Sequence, residues 1–277
     1  MISLRSRLLK IPIHIILIIY SIISIFPFYY IIITAFKTKE EIYSNIYAPP
    51  SDWTFANIIT LYKEYGFARS TLNSILVTAI SILITLIISI LAAYAYSKMH
   101  FKGKRFLLSL TVALTGVPIM IVIIPIYVLM SRIGMLDSYI GISFIYATFM
   151  LPFSIFLLTS FFRSIPEDLL NAASIDGCNR FQLLSKIILP LSKPVLTTLI
   201  IVNALWVWND MLIALMFLRK DEMLTVTVAL NNIGGRYANN PVLIQAGALL
   251  VAIPMILVFL LGQKYFVKGL LAGALKE

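Results

Sequence analysis

Charged residues, histidine and cysteine are all scarce in this sequence of 277 residues. Charged residues make up 12% of the chain and hydrophobic residues 60%, whereas soluble domains average about 25% and 45–50%. The shortage of charge excludes an ordinary soluble domain, and the abundant apolar surface excludes intrinsic disorder. A single cysteine, Cys178, excludes an internal disulfide framework, and two separated histidines argue against a histidine-rich metal site. With a mean hydropathy of +0.96, the composition indicates a polytopic membrane protein.

Motifs for covalent chemistry are also missing. The only Gly-Lys pair, Gly103-Lys104, lacks the rest of a phosphate-binding loop, and no G-x-S-x-G nucleophile elbow occurs. The chain therefore has no recognisable means of hydrolysing ATP itself, and we expect it to be no enzyme and to bind no cofactor. Ionisable residues are nearly absent from the apolar runs, which argues against a proton-driven pump that uses a chain of carboxylates.

Six apolar runs are long enough to cross a bilayer as helices, which takes roughly 20 residues. Continuous runs of this length exclude the short alternating strands of a membrane barrel. The sequence thus predicts an all-α polytopic membrane protein with six transmembrane helices. The predicted spans are Ile11–Phe36, Thr71–Ser97, Phe106–Ser131, Ile140–Phe162, Pro194–Leu218 and Gln245–Phe266.

The distribution of lysine and arginine predicts the orientation of these spans. Segments 1–10, 97–105, 163–193 and 264–277 carry 14 basic residues, and the alternate segments carry 8. Since basic loops are retained in the cytoplasm, we expect the first set, and with it both termini, to be cytoplasmic in a bacterial-type cytoplasmic membrane. The net charge of +10 then follows from membrane topology, and no nucleic-acid partner is needed to explain it.

One polar helix face lies within the fifth run. Asn203, Trp206 and Asp210 are spaced i, i+3, i+7, and Asn209 adjoins them. An intramembrane carboxylate is by default a functional candidate, and an aromatic ring beside amide groups suits a sugar path. Alternatively, Asn209 and Asp210 cap or join neighbouring helices, or lie near the outer interface.

The loop at 163–193 carries the most informative pattern. Ser164 followed by Glu167 predicts a capping box, and Gly177 predicts the end of the short helix that follows. A second short helix is expected from Phe181 to Pro190. The small pair Ala172-Ala173 permits close backbone approach, so the loop suits a groove on another protein; the alternative is a helix lying on the membrane.

Asn-Ala-Ala-Ser-Ile-Asp-Gly at 171–177, followed by Ile187-Ile188-Leu189-Pro190-Leu191, resembles the EAA loop of permease subunits of ATP-binding-cassette importers. Further matches resemble the carbohydrate-uptake, maltose-type branch of this family. They are Trp53-Thr54-Phe55-Ala56-Asn57, Leu72-Asn73-Ser74, Ile124-Pro125-Ile126-Tyr127, Trp208-Asn209-Asp210 and Tyr265-Phe266-Val267-Lys268-Gly269-Leu270.

The resemblance implies a type I importer fold, a permease heterodimer, two cytoplasmic ATPase subunits that hold ATP and Mg²⁺, and an extracytoplasmic solute-binding protein. It implies ATPase coupling through the EAA loop, and a tail that reaches the ATPases. Asn171 stands where relatives have glutamate, and Glu167 or Asp168 could replace it. The expected coupling residues are Glu167, Asp168, Asn171, Ala172, Ala173, Ser174, Asp176, Gly177 and Phe181. The expected tail contacts are Lys268, Gly269, Ala272 and Gly273.

The organisation we expect is a first span with its external loop at 1–70, a permease core at 71–266 and a cytoplasmic tail at 267–277. The external segment 34–70 is either a docking surface for the solute-binding protein or a packed segment that closes the periphery. Two other classes stay open: an ion-gradient-driven secondary transporter, which would predict internal repeats, and a membrane scaffold. The resemblance favours mono- or oligosaccharides as the solute, with polyols and glycerol phosphate esters open.

Overall fold

The computed structural model describes the backbone of residues 10–236 and 240–274, and the side chains of 12–235 and 240–264. Over these ranges the chain is all-α, which confirms the predicted fold class. The helices are α1 Lys10–Ala35, α2 Lys39–Ser44, α3 Ala56–Glu64, α4 Phe67–Lys98, α5 Lys104–Ala113, α6 Ile119–Arg132, α7 Tyr139–Ser164, α8 Glu167–Ile175, α9 Arg180–Leu191, α10 Lys193–Asn209, α11 Leu212–Phe217, α12 Val226–Arg236 and α13 Pro241–Ala274.

Within the described residues, four helices, α1, α4, α7 and α13, are each long and apolar enough to cross a membrane, and two bent pairs raise the number of possible spans to six. In the first pair, α5 and its 3₁₀ extension meet α6 at 100°. Pro118 is the cause, since proline disfavours helical geometry in the residue before it, and Val117 is extended with ψ 113°. The predicted span Phe106–Ser131 is therefore a sharply bent pair of helices, which can still serve as one span.

The fifth predicted span is also interrupted. The helix α10 ends at Asn209, Asp210 is extended with ψ 133°, and α11 begins only at Leu212. Before α10, the chain turns by 75° from α9, because Pro194 in the first turn of α10 cannot continue the preceding helix. Asp210 therefore lies just beyond α10 instead of within a helix that continues to Leu218.

The described chain forms two compact units, of which the second, Ala68–Val228 with Pro254–Glu277, holds two buried apolar clusters. One cluster surrounds Tyr146 and Phe217, and joins the first half of α7 to α6, α10 and α11. The other surrounds Phe162 and Ile188, and joins the second half of α7 to the end of α4 and to α8, α9 and α10. The second cluster thus holds both helices of the bent pair α9 and α10, while the first holds α6 against α7.

The first unit, Met1–Phe67 with Ala229–Ile253, contains the segment that follows α1, and this segment folds back on the end of that helix. Asn57 Nδ2 donates to the carbonyls of Ala35 (2.9 Å) and Lys37 (2.8 Å). The side chain of Lys37 is fully buried, and its Nζ donates to the carbonyls of Asn45 (2.7 Å) and Ile46 (3.2 Å). These bonds satisfy carbonyls at the ends of α1 and α2 that the helices leave unpaired.

In the second unit, an ion pair joins the loop after α6 to the loop after α11. The backbone N–H of Arg219 donates to Asp137 Oδ1 (2.6 Å), and its Nη2 lies 3.1 Å from Oδ2. Arg219 Nη1 also donates to Tyr127 Oη (3.2 Å). Burial acts to raise the pKa of Asp137, but the hydrogen bonds from Arg219 outweigh it and hold the pKa below its ordinary value. Asp137 adopts φ 52°, a conformation that asparagine also tolerates.

Replacing Asp137 by asparagine should therefore destabilise the protein without straining the backbone. We expect a loss of about 1 kcal/mol at pH 7, because Arg219 is half-exposed and its charge is partly screened. A carboxyl group with a lowered folded-state pKa stabilises above its unfolded value of about 3.9, and this contribution is lost as the pH falls through the folded-state pKa. Thermal unfolding in detergent should show the wild-type advantage at pH 7 shrinking as the pH falls below the unfolded-state value of about 3.9. An advantage independent of pH would contradict the ionic origin.

Candidate functional site: coupling segment and polar cleft

The helix α8 begins at Glu167 with two acidic residues in its first turn, which favours the positive end of the helix dipole. It ends in a Schellman motif: the N–H of Cys178 donates to Ala173 O (3.0 Å), and the N–H of Gly177 donates to Ser174 O (3.1 Å). Gly177 has φ +86°, a conformation that glycine adopts without strain. The predicted helix stop at this glycine is confirmed.

The predicted capping box at Ser164 and Glu167 is wrong. Pro166 is the N-cap of α8, and Ser164 Oγ instead donates to Phe161 O (2.7 Å). A capping box does occur, but it begins the next helix, where Asn179 and Gln182 exchange two hydrogen bonds of 2.9 Å. Asparagine is as good a cap as serine, so the spacing of Asn179 and Gln182 was a usable signal in the sequence.

The predicted coupling residues lie along α8 and the turn to α9. Ala173 is half-buried, while the other predicted residues are exposed: Glu167, Asp168, Asn171, Ala172, Ser174, Asp176, Gly177 and Phe181. The sequence analysis missed Ile175, whose side chain is 87% exposed. Phe181, six residues later, is 73% exposed. Two large, exposed apolar side chains flank the Gly177 turn, so this turn can bury apolar surface against another protein.

The inner face of the same segment is anchored to the spans. Leu170 of α8 and Leu184 and Ile188 of α9 are buried in the cluster around Phe162. Lys98, the last residue of α4, donates from Nζ to Ile165 O (3.0 Å), immediately before α8. A displacement of α8 would therefore act directly on α4, α7 and α10.

A cleft of about 690 Å³ lies between α7 and the end of α10. The structure brings all four predicted pathway residues to this cleft: Asn203, Trp206, Asn209 and Asp210. Sequence analysis missed the contribution of α7, where Phe149 and Phe153 are spaced i, i+4 and face the cleft. The ring of Trp206 lies 6.4 Å from that of Phe149, so aromatic surfaces adjoin the amide and carboxylate groups.

Asp210 holds the break after α10 as well as lining the cleft. Its Oδ1 accepts from Tyr146 Oη (2.8 Å) and from the backbone N–H groups of Ile213 (3.0 Å) and Ala214 (3.3 Å). Its backbone carbonyl accepts from Thr227 Oγ1 (2.9 Å). The capping role that the sequence left open is therefore present, and it coexists with a position at the cleft. Asn203 is buried, and its Nδ2 donates to Ser154 Oγ (3.2 Å).

The tail residues Lys268, Gly269, Ala272 and Gly273 have side chains outside the described ranges, although the backbone of α13 continues as helix to Ala274. Among the described side chains, no group of three or more histidine, cysteine, aspartate or glutamate residues could hold a metal ion. The features that the structure describes are thus a polar cleft beside membrane-crossing helices and an exposed segment anchored to them, which define a membrane transport subunit.

Comparison with known proteins identifies the family. Residues 85–271 match the model of the binding-protein-dependent transport system inner membrane component, and the chain belongs to this family. It is 37% identical to a putative ABC transporter permease protein, ORF2, of Caldicellulosiruptor sp. (strain Rt8B.4), over 93% of this chain and 94% of the relative. It is 32% identical to the melibiose/raffinose/stachyose import permease protein MelC of Bacillus subtilis, over 90% and 91%.

A solved structure agrees with this assignment. The permease fold superposes with a TM-score of 0.80 on a chain of a bacterial ABC transporter involved in import of the acidic polysaccharide alginate. The two chains are 27% identical, with 95% of this chain and 98% of the other covered. The predicted family, the permease fold and the interpretation as a transport subunit are confirmed. Family membership also excludes the two alternative classes, an ion-gradient-driven secondary transporter and a membrane scaffold.

Proposed function

We propose that this permease subunit imports a mono- or oligosaccharide through the cleft between α7 and α10. The observation that carries the proposal is the lining of that cleft, where Phe149, Phe153 and Trp206 adjoin the polar groups of Asn203 and Asp210. Aromatic faces suit the apolar face of a sugar ring, and a few fixed polar groups orient its hydroxyls. The sugar and alginate importers among the similar proteins support the same solute class.

Coupling to ATP hydrolysis would run through α8 and the Gly177 turn. Partner ATPase subunits would hold ATP and Mg²⁺ and bind the exposed side chains around Ile175 and Phe181. Their closure would favour one arrangement of the spans because the contacts at α8 differ between the two states. The complete assembly would contain a second permease, two ATPases and a solute-binding protein, with both termini of this chain in the cytoplasm.

The direct test is sugar uptake by proteoliposomes that contain the permease pair, the ATPases and the solute-binding protein. A panel of labelled monosaccharides, oligosaccharides and polyols should give ATP-dependent uptake of at least one sugar. The same sugar should stimulate ATP hydrolysis in the presence of the binding protein. Uptake of polyols alone, with no sugar transported, would overturn the proposed solute class.

Replacing Asp210 by asparagine separates its two roles. Asparagine keeps one carbonyl oxygen for the bonds from Tyr146 and from the first N–H groups of α11, but it removes the charge at the cleft. We expect sugar-stimulated ATP hydrolysis to fall about tenfold while the assembly remains intact. Asp210→Ala, which also removes the cap, should in addition lower thermal stability by about 1 kcal/mol. Wild-type turnover in Asp210→Asn would assign the residue to helix capping alone.

A further inference from the structure

We propose that the basic loop, defined as residues 98–106 from the last residue of α4 to the first turn of α5, binds the headgroups of anionic phospholipids. It carries four cations, Lys98, Lys102, Lys104 and Arg105, and no acidic residue. The chain folds here around a cleft of about 510 Å³, and the cleft is lined by His100, Phe101, Gly103, Lys104, Arg105 and Phe106. This lipid site is distinct from the transport cleft and does not depend on the solute.

Two of the four cations donate hydrogen bonds to backbone carbonyls of the protein, and the other two are available to a ligand. Lys98 Nζ donates to Ile165 O (3.0 Å), and Lys104 Nζ donates to Met99 O (2.8 Å). Lys102 and Arg105 are both exposed. In the part of the chain that the structure describes, the ion pairs are Arg69–Glu222 and Arg219–Asp137, so neither exposed cation of the loop has a carboxylate partner.

Beyond these cations, the exposed surface changes from charged to apolar within five residues. Immediately after Arg105, the side chains of Phe106, Leu107 and Leu110 are 71%, 42% and 48% exposed. A band of cations followed at once by exposed apolar side chains is the profile of a protein surface that passes from headgroups into acyl chains. Phe101 adds an exposed aromatic side chain to the same loop: it is 41% exposed, and its ring centroid lies 6.0 Å from that of Tyr96.

The exposed cations and the adjacent apolar side chains together determine which class of ligand fits this loop. A phosphate group bound at Arg105 in the cleft would leave its attached acyl chains beside Phe106, which lines the same cleft, whereas a soluble anion would use only the cations. An anionic phospholipid satisfies both surfaces at once, and each cation near such a membrane surface strengthens binding by about fivefold. Zwitterionic lipids, which have no net charge, would gain nothing from the cation pair.

The test measures lipid retention and not transport. The complete transporter, reconstituted in equal parts of phosphatidylglycerol and phosphatidylcholine and then re-extracted in mild detergent, is analysed by native mass spectrometry. We expect retained phosphatidylglycerol to exceed phosphatidylcholine, and Lys102→Gln with Arg105→Gln to reduce this enrichment about 5- to 25-fold. Raising the salt concentration should reduce the wild-type enrichment in the same direction, because surface charges are screened.

The matched control removes two exposed lysines elsewhere, Lys39→Gln with Lys63→Gln, and so makes the same change in net charge. It should keep the wild-type enrichment. Should the double variant of the loop assemble poorly, Lys102→Gln alone should still reduce enrichment about fivefold. Equal enrichment in the loop variant and the control would overturn the proposal. Displacement of the retained phosphatidylglycerol by inorganic phosphate at constant ionic strength would also overturn it, because the site would then be one for a soluble anion.

Discussion

Replacing Gly177 by valine should reduce solute uptake more than tenfold while the spans still insert. Gly177 adopts φ +86° at the end of α8, and no atom lies within 4 Å of the position that a Cβ would take. The effect would therefore come from the backbone and not from a clash. A β-branched residue in this conformation costs about 1–3 kcal/mol, which the chain can relieve by opening the turn and tilting α8 away from α9.

That tilt would displace the surface that we propose for ATPase binding. Ile175 lies two residues before Gly177 and Phe181 lies four residues after it, so their relative positions depend on this turn. Uptake and retention of the ATPase subunits should be measured together in reconstituted vesicles. We expect either loss of the ATPases or ATP hydrolysis without uptake, since both follow from a misplaced coupling surface.

Gly177→Asn is the matched control, because asparagine tolerates a positive φ better than any β-branched residue. It should keep most of the uptake. Ala173→Arg tests the same turn by a different route, as Ala173 is half-buried and overpacking costs about 1–3 kcal/mol. Normal uptake in both Gly177→Val and Ala173→Arg would show that the segment is an ordinary connector.

The span pattern could be predicted because long apolar runs between basic loops have few alternatives in a bilayer. The stop at Gly177 could be predicted for a similar reason, since few residues besides glycine end a helix in this conformation. The bends were harder to predict from the sequence. Pro118 interrupts the third run, but proline also occurs inside α6 and α7 at Pro125 and Pro152 without ending either helix. Whether a proline kinks or breaks a helix depends on packing around it.

The polar cleft could be predicted only in part. Asn203, Trp206 and Asp210 share a face by spacing, so their half of the cleft follows from sequence. Phe149 and Phe153 could not be selected, because aromatic residues occur on several faces of α7 and the rotation of that helix is set by its neighbours. The break at Asp210 depends on Tyr146 and Thr227, which are distant in sequence, so no local pattern predicts it.

The role of Lys37 could not be predicted from the sequence. A lysine just after an apolar span is ordinarily a solvated interfacial charge. Here its side chain is fully buried, and its Nζ is bonded to the carbonyls of Asn45 and Ile46. The neighbouring motif is explained by the same fold: the ring of Phe36 lies 5.5 Å from Trp53 and 5.2 Å from Phe55. Both interpretations of segment 34–70 require this local structure.

Replacing Lys37 by methionine should therefore loosen the segment that follows α1. Methionine retains a flexible apolar stem but has no donor, so the carbonyls of Asn45 and Ile46 lose their hydrogen bonds from the buried ammonium group. A hydrogen bond to a charged group contributes about 1.5–3 kcal/mol, and water can replace part of it because Asn45 and Ile46 are exposed, so we expect a loss of about 2 kcal/mol. Because these bonds lie between residues 37 and 46, the loss should be local, and limited proteolysis should cut within 36–57 faster than in the wild type.

Lys39→Met is the control, since Lys39 is exposed and a surface substitution of this kind is worth within about 0.5 kcal/mol. The same pair of variants distinguishes the two interpretations of the segment. A docking surface for the solute-binding protein would require its exposed aromatic side chains, Tyr47 and Trp53, to be held in place, so Lys37→Met should abolish stimulation of ATP hydrolysis by that protein. A segment that only closes the periphery would become protease-sensitive in Lys37→Met while stimulation persists. Equal protease resistance in the two variants would show that the buried lysine does not stabilise the segment.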